Sequence, residues 1–164
     1  GLSEQAATPP GVQAVPLLTL DEVAVLPAGH ALAAQAVLQV QDFANQPFVS
    51  LSADDPYRRQ IDARFAEAGV ARQLHLQTHS AVAVCAMVQQ GLGLAIVNPL
   101  TALAMAGSGL VVRRLGFSVP FSINALLPLY RPALPEAQPL LQSLEAQAQE
   151  VTAALQRLLS QPAN

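Results

Sequence analysis

Lysine is missing altogether. The eight basic residues are all arginine and the formal net charge is −3, so no dense cationic surface exists to neutralise a run of phosphates, and this chain is not expected to hold DNA itself. Charge of either sign is scarce: 12% of residues are charged against 52% hydrophobic, too apolar for a disordered tail. Long apolar runs are missing as well. No uninterrupted stretch reaches membrane-spanning length, and residues 1–20 lack the basic segment followed by an apolar one that marks a secretory leader. A soluble globular protein of the cytoplasm, with no membrane partner, is expected. Cysteine occurs once, at Cys85, which excludes an intramolecular disulfide. It falls in an apolar helical stretch, residues 81–88, where a small buried hydrophobe is the expected role and a redox or catalytic thiol the lesser one.

What is present is an alternation of short apolar runs with segments of helical period, the pattern of an α/β fold in one core or two small lobes. Residues 12–18 and 22–26 read as extended segments, the first interrupted at Pro16 and the second stopped by turn chemistry at Pro27 to Gly29. Leu38, Val40 and Phe43 suggest a short helix before a strand at 48–51. Asp54 or Asp55 can then cap a helix with Pro56 in its first turn, with Ile61, Phe65 and Ala68 on one face and Gly69 as its stop. Residues 72–78 alternate as a half-buried strand, and Ser80 caps an apolar helix that Gly91 ends. Residues 92–97 form a continuous apolar run of the kind buried on both faces of a parallel sheet. A small-residue helix at 100–106, a break at Gly107-Ser108-Gly109, strands at 110–115 and 121–130, and a long amphipathic helix within 135–159 complete the order. The Pro-rich stretch 128–139 reads as a turn and helix entrance.

No catalytic constellation, metal set or cofactor loop emerges. His75 and His79 are four apart on a predicted strand, too far for one zinc ion, and Gly91-Leu92-Gly93 precedes a strand instead of opening a helix after one. No catalytic residue, metal ligand or cofactor is expected. What remains are two polar corners where strands end and helices begin, the crevice at which open α/β sheets collect ligands. The first is Ser50, Leu51, Ser52, Asp54 and Asp55; the second is Thr78, His79 and Ser80. Their hydroxyls, carboxylates and free helix N–H groups suit a small polar ligand, and a carboxylate at a helix start could hold an ammonium or guanidinium group. Ordinary helix capping is the plainer alternative for each. Arg58 and Arg59 could meet a ligand carboxylate, but one turn into the helix an exposed surface role is favoured.

Three motifs in order carry a family resemblance. Leu26-Pro27-Ala28-Gly29-His30-Ala31-Leu32, then Asp54-Asp55-Pro56-Tyr57-Arg58-Arg59-Gln60-Ile61-Asp62 running to Phe65-Ala66-Glu67-Ala68-Gly69-Val70, then Met87 to Pro99 with its Gly91-Leu92-Gly93 break, resemble the effector-binding domain of LysR-type transcriptional regulators. The Asp-Asp-Pro-Tyr-Arg and Val-Asn-Pro-Leu-Thr-Ala-Leu pieces are most similar to the branch responding to amino acids and opines. The resemblance implies a periplasmic-binding-protein-like fold of two Rossmann-like lobes, the first incomplete. Residues 1–26 would belong to lobe I, 27–115 to lobe II, and 116–164 would return to lobe I with the long C-terminal helix. Hinge crossings would lie near 25–27 and 115–120. The sequence starts inside the domain by this likeness, so the winged helix-turn-helix, the linker helix and the opening βα units would precede it.

By the same likeness the effector contacts fall on Ser50, Leu51, Ser52 and Asp54 and on Thr78, His79 and Ser80, matching the corners read without it. A small-molecule effector would be the ligand. Homodimers or tetramers would form through effector domains, with the helix at 81–90 and the tail helix as candidate surfaces, and DNA would be met only through the preceding helix-turn-helix. The alternative from another class is a solute-binding lobe of a transport system, which shares the fold. An enzyme related by fold only is a third reading, which no acid/base pair supports.

Overall fold

The computed structural model describes residues 1–4, 8–107, 109–130 and 134–161. Strands β1 (Leu2–Ser3), β2 (Val12–Asp21) and β9 (Pro120–Pro128) form an antiparallel sheet in the order β1-β9-β2. Pro16 is tolerated because β2 lies at the edge of that sheet and its register slips between Pro16 and Leu18. Helix α4 (Ala137–Leu159) packs on β2, with Leu155 buried and Leu144, Ala148 and Val151 half-buried along one stripe. Its first turns are open, and Leu140 is 61% exposed. Residues 131–133 of the Pro-rich turn lie outside the described residues, as does Ser108 of the glycine break.

The larger sheet runs β4-β8-β3-β7, from β4 (Val37–Leu38), β8 (Leu110–Leu115), β3 (Val23–Pro27) and β7 (Ala95–Val97). A parallel bridge at Phe48 and Leu94 extends it into β5 (Pro47–Leu51) and β6 (Gln73–Thr78). Gly93 makes that junction possible: its φ is +150° and a Cβ there would lie 2.6 Å from the Pro47 carbonyl oxygen. Helix α1 (Pro56–Glu67) links β5 to β6, helix α2 (Ala81–Gln89) links β6 to β7, and α3 (Pro99–Met105) follows β7.

The alternation of side chains decides which layer each residue joins. Val23, Val25, Ala95 and Val97 point to the face carrying α2 and α3, whereas Ala24, Leu26, Leu94 and Ile96 point to the face carrying α1. On the α1 face Phe43, Phe48 and Phe65 meet edge to face at 5.6 to 6.1 Å, and the Arg72 guanidinium lies over Phe48 and Phe65. Each such ring contributes about 2 to 3 kcal/mol of burial.

Four expectations change. The run at 92–97 is strand only over its last three residues, and β7 pairs antiparallel with β3, which enters the sheet from the other lobe in the opposite direction. Strand β6 is the outermost of its sheet, so Leu74 and Leu76 remain 41% and 37% exposed instead of half the strand being covered. Ala68 is exposed, because α1 ends before its stripe returns to the core. The chain changes sheets at Glu22, between β2 and β3, and not at 25–27, since β3 is already bonded to β7 and β8. The return crossing spans residues 116–119, and the Glu22 N–H donates to the Val119 carbonyl at 2.9 Å, tying the two crossings together. No helix among the described residues is long and apolar enough to cross a membrane.

Candidate functional site

Parallel strands β5 and β6 end side by side, Leu51 opposite Thr78, and each runs directly into the start of a helix. The two polar corners are therefore neighbours at the carboxyl edge of the sheet. The Ser52 N–H donates to the Thr78 carbonyl at 3.0 Å, and Ser52 Oγ lies 2.7 Å from His79 Nδ1. Asp54 Oδ1 lies 4.0 Å from the same Nδ1, with both side chains about four-fifths exposed. Serine and carboxylate thus share one ring nitrogen, whereas a nucleophile-activating relay needs them on opposite nitrogens. The trio suits recognition of a polar group by hydrogen bonds.

Several of the predicted residues already have partners within the fold. Asp55 is the cap of α1, its Oδ1 accepting from the Tyr57 and Arg58 N–H groups at 2.8 and 3.0 Å. Ser80 caps α2 by accepting from the Ala83 N–H at 3.3 Å, and the Ser80 N–H donates to Thr78 Oγ1 at 3.4 Å. Ser50 and Leu51 are buried in β5, with Leu51 in the core. Ser52, Asp54, Thr78 and His79 are the four brought together with an open side.

Arg58 departs from the surface role expected of it. Its side chain is buried; Nη1 donates to the Leu51 carbonyl at 2.9 Å and Nε to the Asp62 carboxylate, which also pairs with Arg72. This fork clamps the end of β5 onto α1. Burial pushes the Arg58 guanidinium below its ordinary value and brings Arg72 down to about 10, with Arg58 adding to the latter. Arg59 is exposed, as expected.

The first turn of α1 also meets the smaller sheet. Tyr57 stacks on Phe121 with ring centroids 5.5 Å apart, clusters with Leu18, and donates its hydroxyl to the Glu4 carbonyl at 3.3 Å. Beside it lies Glu22, 1% exposed, whose two carboxyl oxygens have no hydrogen-bond partner. Burial first, then the carboxylates of Asp55 and Glu4, push the Glu22 carboxyl up to about 8. Burial and the same acidic neighbours raise the Tyr57 hydroxyl to about 12. Sequence reasoning missed both residues. The one available signal was an acid flanked by apolar strand on its C-terminal side, which gives no hint of where the chain changes sheets.

A separate hollow of about 420 Å³ lies where α4 meets the two crossings, lined by Asp21, Glu22, Arg114, Ser118 and Gln156 among others. None of the eight predicted residues lines it. Among the described residues no group of three His, Cys, Asp or Glu side chains is placed to hold a metal ion.

Residues 1–149 match the family model for the LysR substrate binding domain. The chain is 46% identical over 160 residues to the transcriptional activator protein LysR of Escherichia coli K12, covering 98% of this chain and 51% of that protein. It is 28% identical over 132 residues to the regulatory protein NocR of Agrobacterium tumefaciens T37, covering 80% of this chain and 44% of that one. It spans about half the length of these curated relatives. Among solved structures, the regulatory domain of Synechocystis PCC6803 CcmR in complex with 2-PG superposes with a TM-score of 0.73 at 16% identity, over 90% of this chain and 72% of that domain. A family match over most of the chain, a relative at 46% identity and a shared two-lobe fold lead to one conclusion: this chain belongs to the LysR substrate-binding domain family.

Proposed function

We propose that the chain is the effector-sensing part of a DNA-binding transcriptional regulator that works in the cytoplasm and itself performs no chemistry. It takes a small polar molecule, amino-acid-like in character, against Ser52, Asp54, Thr78 and His79. The observation that carries this reading is the juxtaposition of two strand-to-helix junctions at one sheet edge, on the helix α1 whose first turn touches the other lobe. Lobe I consists of residues 1–21 and 120–164 and lobe II of residues 23–115, with hinges at Glu22 and 116–119. Rotation there carries ligand occupancy to neighbouring subunits as a shift in population. DNA is contacted by a helix-turn-helix elsewhere in the whole protein.

Copies of the domain associate through α2 and β6, where Val82, Leu74 and Leu76 are exposed apolar side chains, with α4 as the second surface. The relatives reported are regulators, and the transport alternative finds no support in them. The test is calorimetric titration of the complete protein with basic amino acids and opines, comparing wild type with Ser52→Ala and Asp54→Asn. Loss of a charged contact to the ligand is expected to weaken binding by about 2 to 5 kcal/mol. Unchanged affinity in both variants would remove these residues from the site.

A further inference from the structure

We propose that Glu22, with the carboxylates of Asp55 and Glu4 beside it, forms a subsite for a small organic cation, the side-chain ammonium group of an amino-acid-like effector. This deepens the reading above and rests on it, because the subsite lies at the same α1 N-terminus as the Ser52 corner.

Three observations converge. Glu22 is closed off from solvent, 1% exposed, yet neither carboxyl oxygen has a hydrogen-bond partner among the described residues. Folding tolerates a buried carboxyl without a partner poorly, and an arriving cation with three N–H donors satisfies it. Asp55 at the cap of α1, Tyr57 in its first turn and Glu4 ahead of β2 couple to it electrostatically, and Asp21 and Arg114 line the hollow it borders, so acidic groups approach it from more than one element. Arg58 is committed to Leu51 and Asp62, and Arg72 to Asp62 and two phenylalanine rings, while Arg114 lines the hollow that Glu22 also borders.

Position supplies access. Glu22 is the residue at which the chain passes from β2 to β3, and its N–H holds the return crossing at Val119. A rotation of the lobes about these crossings opens the seam that encloses the carboxyl and closes it again over a guest. Asp55 retains Oδ2 for the guest while Oδ1 caps the helix.

The experiment is isothermal titration calorimetry on the complete protein with L-lysine, L-arginine and 1,5-diaminopentane, against L-norleucine and L-glutamate, for wild type, Glu22→Gln, Asp55→Asn and Ser52→Ala. Asparagine still caps α1, and circular dichroism checks each fold. Wild type is expected to favour L-lysine over L-norleucine at least tenfold, with Glu22→Gln erasing the preference and Asp55→Asn reducing it. If Glu22→Gln fails to fold, the lysine-to-norleucine ratio in wild type and Asp55→Asn still decides. Amine binding unchanged in both acidic variants overturns the subsite. Binding of only neutral or anionic compounds, lost in Ser52→Ala, also overturns it while the reading of the corner stands. If no amine binds at all, the cation subsite is wrong, and the Ser52→Ala comparison judges the corner separately.

Discussion

Replacing Glu22 by glutamine should remove a pH dependence that the wild-type fold carries. Burial, reinforced by Asp55 and Glu4, lifts the folded-state carboxyl from 4.5 to about 8. The folded chain therefore keeps a proton that the unfolded chain releases above pH 4.5, and stability falls as pH rises through this window, levelling off above pH 8. At roughly 1.4 kcal/mol per pH unit the full loss is on the order of 5 kcal/mol, of which about 3 kcal/mol has accrued by pH 7. Glutamine mimics the protonated acid and cannot ionise, but its amide adds a buried donor that costs about 1 to 3 kcal/mol if left unpaired. The two stability curves should then cross, with the variant equal or weaker at pH 5 and stronger at pH 8. Glu4, also raised by burial and Asp55, leaves a residual slope of the same sign in both proteins. Tyr57 titrates above the window. Urea unfolding at pH 5, 6, 7 and 8 measures this, and parallel curves for the two proteins would refute the assignment of Glu22 as an isolated buried acid.

Gly93→Ala should destabilise by more than about 2 kcal/mol, because the new methyl meets the Pro47 carbonyl oxygen at a backbone-backbone junction that cannot yield; thermal unfolding would show it. Asp55→Ala should cost about 1 to 2 kcal/mol by stripping two N–H groups of their acceptor, whereas Asp54→Ala should stay within about 0.5 kcal/mol; equal costs in chemical denaturation would contradict the capping assignment. Cys85 is fully buried and burial lifts its thiol to about 11, so it should resist a thiol-specific chromogenic reagent at pH 8 in the folded state and react promptly once unfolded.

Elements whose signals are local were legible in the sequence. Capping at Asp55 and Ser80, proline in the first turn of α1, and the stop at Gly91 are short-range chemistry, and the helices sit where those residues put them. The two polar corners were legible for the same reason, as strand ends running into capped helices. Sheet order was not: nothing in residues 92–97 tells whether their neighbour runs parallel, since burial on both faces hides period two. Arg58 was misjudged because its role is set by Leu51 and Asp62, one on another element, and a helix-face argument cannot see a carbonyl at the end of a strand. Glu22 was overlooked because its neighbours Asp55, Glu4 and Val119 are distant in sequence.

Three anchors within four residues hold the start of α1. Asp55 fixes the first turn through two N–H groups, Tyr57 leans on Phe121 of the other lobe, and Arg58 grips the carbonyl that ends β5. The same β5 end leads directly to Ser52, whose hydroxyl meets His79. Under the proposed reading, a ligand that pulls Ser52 or His79 moves the end of β5, and Arg58 passes that displacement to the α1 helix as a rigid body. Tyr57 cannot follow without repacking against Phe121 and Leu18, and packed interfaces switch between discrete arrangements instead of deforming smoothly. Under that reading the contact that must switch is Tyr57 against Phe121, which joins the start of α1 to the smaller sheet.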